Sequence, residues 1–97
     1  MDSLPPSRPI SLEALVGQAV VLDTAGPMIY LGTLRAIEPR GYWLDEADVH
    51  DRSEGHANKE LYVCESRRHG VRPNRQSVFV LREVVISLSR LADVIVD

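Results

Sequence analysis

Ninety-seven residues suffice for one hydrophobic core and not for two, and a hydrophobic content of 44% is that of a chain that folds. The formal net charge of -3, from 11 Lys and Arg against 14 Asp and Glu, excludes a uniformly basic coat for nucleic acid, although a local basic patch survives such a total. Cys64 stands alone, which excludes an internal disulfide and a thiolate metal site. The absence of any apolar run near the roughly 18 residues a bilayer requires predicts a cytoplasmic protein with no membrane partner.

Residues 1–9 hold three prolines and two serines and predict a loose arm, with the folded part running over 10–97. The run from Ile10 to Gly17 reads as a short helix, with Ser11 a possible N-cap and Gly17 able to end it in a left-handed turn; Leu12, Leu15 and Val16 form its apolar stripe. From Gln18 the pattern becomes β. Ala19 to Asp23 reads as a strand that Gly26-Pro27 stops, and Met28 to Ile37 as a longer one. Gly32 inside the second strand marks a bend or a close backbone approach.

The Glu38-Pro39-Arg40-Gly41 connection leads into a strand from Tyr42 to Val49. Its alternation is imperfect, since Trp43, Ala47 and Val49 share a parity with Asp45, and both faces are expected to be partly covered. Residues 50–76 read as an enlarged loop, in which Leu61 to Glu65 has strand character and Cys64 would be a small core residue. Ser77 to Arg82 is a clear strand. Val84 to Leu88 follows at once, so a tight turn is required near Arg82-Glu83, and the last residues after Ser89 fit a strand end or a short turn equally.

This order resembles that of the Sm and Sm-like family. The stretch VVLDTAGPMIYLGTLRAIEPRGYWLDEADV places Gly32, Leu34, Ile37, Glu38 and Leu44 at or near the positions of the first family motif, and VFVLREVVISLSRL supplies Arg82 of the second. Residues 11–49 and 77–95 are covered by the resemblance, with 50–76 in the variable loop between the third and fourth strands. Three positions depart from the family pattern: Tyr42 replaces its RNA-contacting asparagine, Glu38 its aspartate, and Glu83 the glycine after the arginine.

The resemblance implies a mainly β fold, a small, strongly bent, five-stranded antiparallel barrel of the SH3 type with a short N-terminal helix. It implies a homo-oligomeric ring of six or seven copies joined through strands at about 78–88, and single-stranded RNA bound at Glu38, Tyr42 and Arg82.

Charge is unevenly spread. Six acids and two arginines lie between Glu38 and Glu54, whereas Ser66 to Ser77 holds Arg67, Arg68, Arg72, Arg75 and His69 with no acid. Those four arginines, on a flexible loop, can grip phosphates; paired with the acids of a neighbouring copy they would be structural. Trp43 is expected to pack, plugging an end of the barrel, and Tyr42 to be the exposed contact. Tyr30 and Tyr62 are expected to lay their rings on apolar surface with their hydroxyls at its rim. Asp48, His50, Asp51, Glu54 and His56 carry metal-ligand chemistry without a metal-site spacing, so no metal is expected. Ser11, Ser66 and Ser77 lack a glycine-rich elbow, and no glycine loop cradles phosphate; neither an enzyme nor a cofactor is expected. Two readings follow: an Sm-like ring that binds single-stranded RNA without chemistry, or a structural ring whose loops contact another protein.

Overall fold

The computed structural model describes residues 11–54 and 58–96; the expected arm at 1–9, Ile10 of the expected helix, and Gly55 and His56 of the loop lie outside the described residues. Five strands, β1 (Ala19–Thr24), β2 (Met28–Glu38), β3 (Gly41–Asp51), β4 (Arg75–Leu81) and β5 (Val85–Arg90), form one antiparallel sheet in the order β4-β3-β2-β1-β5. One helix, α1 (Lys59–His69), sits between β3 and β4.

The apolar run Val20-Val21-Leu22 in β1 is buried at all three positions because the sheet has a core on each face. Val20 and Leu22 face the first core with Leu34, Leu44, Ala47 and Val80, and Tyr30, Ile37, Tyr42, Val78, Val85 and Leu88 close round it. All five strands thus contribute to one side of the bent sheet. Val21 points the other way, to Ile29 and Leu31, and this second face is covered by Val63 of α1 and by Leu91. Each fully buried aliphatic side chain contributes about 1.5–3 kcal/mol relative to exposure.

Three register shifts reset the alternation, two between β2 and β3, at Leu31/Thr33 and Leu34/Ala36, and one between β1 and β5. On β3, Thr33 pairs with Asp45 but Leu31 with Asp48, so one extra residue is accommodated where Glu46 takes φ 48°. Leu44 and Ala47 consequently face the same core, while Trp43, half-buried on the other face against Phe79, leaves both faces of the first half partly covered. Gly32 lies opposite this bulge, and a Cβ there would meet the Ala47 Cα and the Asp45 carbonyl oxygen at 3.1 Å. The glycine marks a close backbone approach, one of the two roles expected for it. On β5 the register skips Ile86, between the pairs Asp23–Ser87 and Thr24–Val85.

Several sequence expectations are corrected. The N-terminal helix is a single 3₁₀ turn, Leu12–Leu15; of its expected stripe only Leu15 is buried, while Leu12 and Val16 stay exposed. Gly17 does take a left-handed φ of 94° and donates its N–H to the Leu34 carbonyl at 2.7 Å. The strand expected over Leu61 to Glu65 is the middle of α1. The Asn58 side chain caps this helix by accepting from the Leu61 N–H at 2.8 Å, and Gly70, at φ 93°, ends it. Eleven residues are too few for a stable isolated helix, so docking on the second core holds it. Lys59 adds an anchor, donating to Asp23 Oδ1 at 2.7 Å and to the Thr24 carbonyl at 2.8 Å. Cys64 is a half-buried helix residue rather than part of a strand core. The turn required near Arg82-Glu83 is a 3₁₀ turn, Arg82–Val84, and the ambiguous end of the chain forms another, Leu91–Asp93.

Candidate nucleic-acid interface

The β2–β3 turn and the β4–β5 turn meet at one end of the sheet. Glu38 pairs with Gly41, Gly41 with Leu81, and Tyr42 with Val80, while the Arg82 N–H donates to the Arg40 carbonyl at 2.8 Å. Residues some forty positions apart in sequence therefore share one surface, with a cleft of about 410 Å³ between Pro39, Arg40, Leu81, Arg82 and Glu83. The approach depends on Gly41: a Cβ there would fall on the Val80 carbonyl oxygen and within 2.8 Å of the Phe79 ring.

The chemistry of this end is mixed. Arg40 and Arg82 are exposed cations, with Glu83 beside Arg82. The Glu38 carboxylate accepts the Trp43 indole N–H at 3.0 Å through Oε2. Trp43 does not plug the barrel. It stands on the outer face, tilted against Phe79 with ring centroids 5.0 Å apart, under the Arg35 guanidinium at 5.0 Å, while Arg35 Nε donates to Asp45 at 2.8 Å. Tyr42, expected to be the exposed contact, is half-buried against the first core, because its parity is that of Leu44. It keeps partial exposure.

The other four arginines form a separate group. Arg67 and Arg68 lie in the last turn of α1, Arg72 follows it, and Arg75 opens β4. They do not share one flexible loop, since helix and strand fix three of them. Arg75 and Leu81 close opposite ends of β4, and six strand steps put about 20 Å between Arg75 and the turn surface. Arg68 Nη1 lies 3.5 Å from Glu65 within the helix.

A polar cluster that sequence spacing did not reveal joins α1 to β3. Asp48, only 3% exposed, accepts the Tyr62 hydroxyl and the Asn74 amide, the latter at 3.4 Å. The Tyr62 hydroxyl thus lies inside the cluster rather than at a rim. The His50 ring stacks on Tyr62 at 3.7 Å and 5°, and its Nε2 is buried without a hydrogen-bond partner. Burial, then the hydrogen bond to Asp48, hold the Tyr62 phenol well above its ordinary pKa. Asn74 extends the β3–β4 ladder with its side chain, accepting from the Val49 N–H and donating to its carbonyl, both at 3.0 Å. The signal in the sequence was Asn74 just after a proline, a residue able to imitate a backbone partner. Of the residues weighed as metal ligands, Asp51 instead accepts from Ser53, at 2.6 Å from the hydroxyl, a bond that lowers its pKa. Among the described residues no three ligand-type side chains converge.

A search of solved structures finds the Sm protein of Pyrococcus abyssii, whose structure is a complex with a uridine heptamer. It superposes with a TM-score of 0.55, covering 80% of this chain and 89% of that one at 11% identity. The fold is Sm-like. At that identity the likeness is one of architecture, so the Sm-like chain's own residues must carry any functional argument. No protein-family model matches the chain, and no curated protein matches it in sequence. No helix among the described residues is long and apolar enough to cross a membrane.

Proposed function

We propose that this chain belongs to the Sm-like family and acts, in the cytoplasm and without chemistry, as a self-assembling ring that binds single-stranded RNA at the turn end of its sheet. The observation that carries this reading is the meeting of the β2–β3 turn, flanked by Glu38 and Tyr42 and carrying Arg40, with the β4–β5 turn, carrying Arg82, at one end of an Sm-like fold. In this reading Arg82 and Arg40 hold phosphates, the partly exposed Tyr42 contacts a base, and Glu38 Oε1, which Trp43 leaves open, accepts a base N–H. Arg67, Arg68, Arg72 and Arg75 supply a second phosphate-contacting group, with Arg75 about 20 Å away.

Self-assembly is supported by the strand order, which leaves β4 and β5 as edges. Leu81, Val84 and Ile86 are 40%, 41% and 64% exposed along them. Unprotected edges with apolar side chains invite pairing, and head-to-tail pairing of β4 with the β5 of the next copy closes a ring of six or seven. The test is the oligomer mass of the purified protein together with its affinity for labelled single-stranded RNA in a salt series. A ring whose affinity falls with salt and falls further in Arg82→Ala supports the reading. A ring that leaves RNA unbound at low salt transfers the proposal to a protein-binding ring.

A further inference from the structure

Tyr62, Ser66 and His69 recur on one side of α1 and face Asp48 of β3 across a cleft of about 290 Å³ that Arg72 borders. That volume is at the low end of the range for ligand pockets, enough for one planar nucleobase. Asp48 forms its floor. A carboxylate offers about four acceptor positions, and the neutral donors Tyr62 and Asn74 occupy one on each oxygen. A carboxylate buried to this degree gains from every further donor it is given. Ser66 is only 7% exposed and lines the same cleft. The rim is cationic at Arg72, whose charge acts on Tyr62, and carries His69 and Glu65, paired at 3.3 Å.

We propose that this cleft is a binding site for one nucleotide whose base carries an exocyclic amine, with the amine on Asp48, Ser66 hydrogen-bonding the base edge, and the phosphate on Arg72. Acceptor chemistry at the floor and a cation at the rim match a ligand with N–H donors at one end and an anion at the other. Adenine, cytosine and guanine present that amine; uracil offers only its ring N–H, flanked by two carbonyl oxygens that the carboxylate repels, and is disfavoured. The nucleotide can be free or part of an RNA strand. Only the second source rests on the RNA reading above.

Calorimetric titration with adenosine, cytidine, guanosine and uridine monophosphates, and with adenosine and uridine heptamers, tests this on the full chain. The amine-bearing ligands should bind about tenfold or more tightly than their uridine counterparts, the scale of one hydrogen bond to a charged group. Ser66→Ala should reduce that preference severalfold and Arg72→Ala should weaken all the ligands alike by severalfold, with Trp43 fluorescence unchanged as the control for folding. Binding of the monophosphates identifies a free-nucleotide site, and a preference seen only with heptamers identifies a strand site. Equal binding of uridine and adenosine ligands in both sets, a preference that survives Ser66→Ala, or an affinity that Arg72→Ala leaves unchanged overturns the proposal. Insensitivity of heptamer binding to Arg82→Ala, with the amine preference intact, would instead count against the turn surface and leave the cleft standing.

Discussion

Replacing Gly41 by Ala adds one methyl group where the sheet has no room for it. The new carbon would meet the Val80 carbonyl oxygen, a backbone atom that cannot swing aside, and the Phe79 ring at 2.8 Å. Relief requires β3 and β4 to separate at the Gly41–Leu81 pair. Overpacking of this kind costs about 1–3 kcal/mol, offset by about 0.4–1 kcal/mol for the narrower unfolded ensemble of Ala. A net loss of about 1–2 kcal/mol lowers Tm by about 4–16 °C in a domain of this size.

The same movement displaces Tyr42 and Arg82 relative to each other, so RNA affinity should fall even at temperatures where the variant is fully folded. Gly26→Ala is the matched control: nothing lies within 4 Å of a Cβ there, and its stability should stay level or rise slightly. Differential scanning fluorimetry of the two variants, followed by RNA titration, makes the comparison. A Gly41→Ala protein as stable as Gly26→Ala would refute the close approach and with it the geometry that joins the two turns.

Tyr62→Phe removes a donor from the buried Asp48 carboxylate and should cost about 1–3 kcal/mol in chemical denaturation. Because the folded state holds the Tyr62 pKa above its ordinary 10.0, its contribution is complete below that pH and disappears as pH rises toward the folded value; the alkaline loss of stability should be smaller in the Phe variant. Leu44→Ala, at a position with no exposed surface, should destabilise by about 2–5 kcal/mol in the same assay. Ile86→Arg places a charge on the β5 edge at a 64% exposed position and should lower the oligomer mass with the circular dichroism spectrum unchanged; an undiminished mass would show that this edge is not the interface.

Local chemistry made most of the sheet legible. Gly26-Pro27 and Pro39-Arg40 end strands where turn residues must, and Val78 to Val80 reads as a strand because β-branched and aromatic residues leave little alternative. Helix α1 was hidden because Leu61-Tyr62-Val63-Cys64 has strand propensity, and the apolar face of Val21, Ile29 and Leu31 overrode it by offering a surface to cover. Its termini did carry signals: Asn58 as a cap, basic residues in the last turn and Gly70 beyond. The continuous burial of Val20, Val21 and Leu22 was the other clue, since a strand apolar on both sides requires a second layer.

The candidate site was legible in its members more than in its arrangement. The turns that carry Glu38, Tyr42 and Arg82 meet at one end of the sheet, but the exposed neighbour Arg40 becomes visible only when its carbonyl meets the Arg82 amide. The roles of Tyr42 and Trp43 depend on which parity faces the core. That question is settled by the bulge at Glu46, where a residue without glycine's freedom takes a left-handed φ and gives no local sequence sign. The split of the arginines into two groups follows from the length of β4, which a charge count does not contain.

The most direct test of the central claim is the affinity of the assembled protein for labelled single-stranded RNA across a salt series, with oligomer mass recorded in the same buffers and Arg82→Ala measured alongside. The account predicts a ring that binds RNA, with an affinity falling linearly on a log–log salt plot. The slope should be shallower by about 0.7 in the variant, which neutralises one phosphate fewer. A confirmed ring with no RNA affinity at low salt, or an affinity and slope that Arg82→Ala leaves untouched, would contradict it.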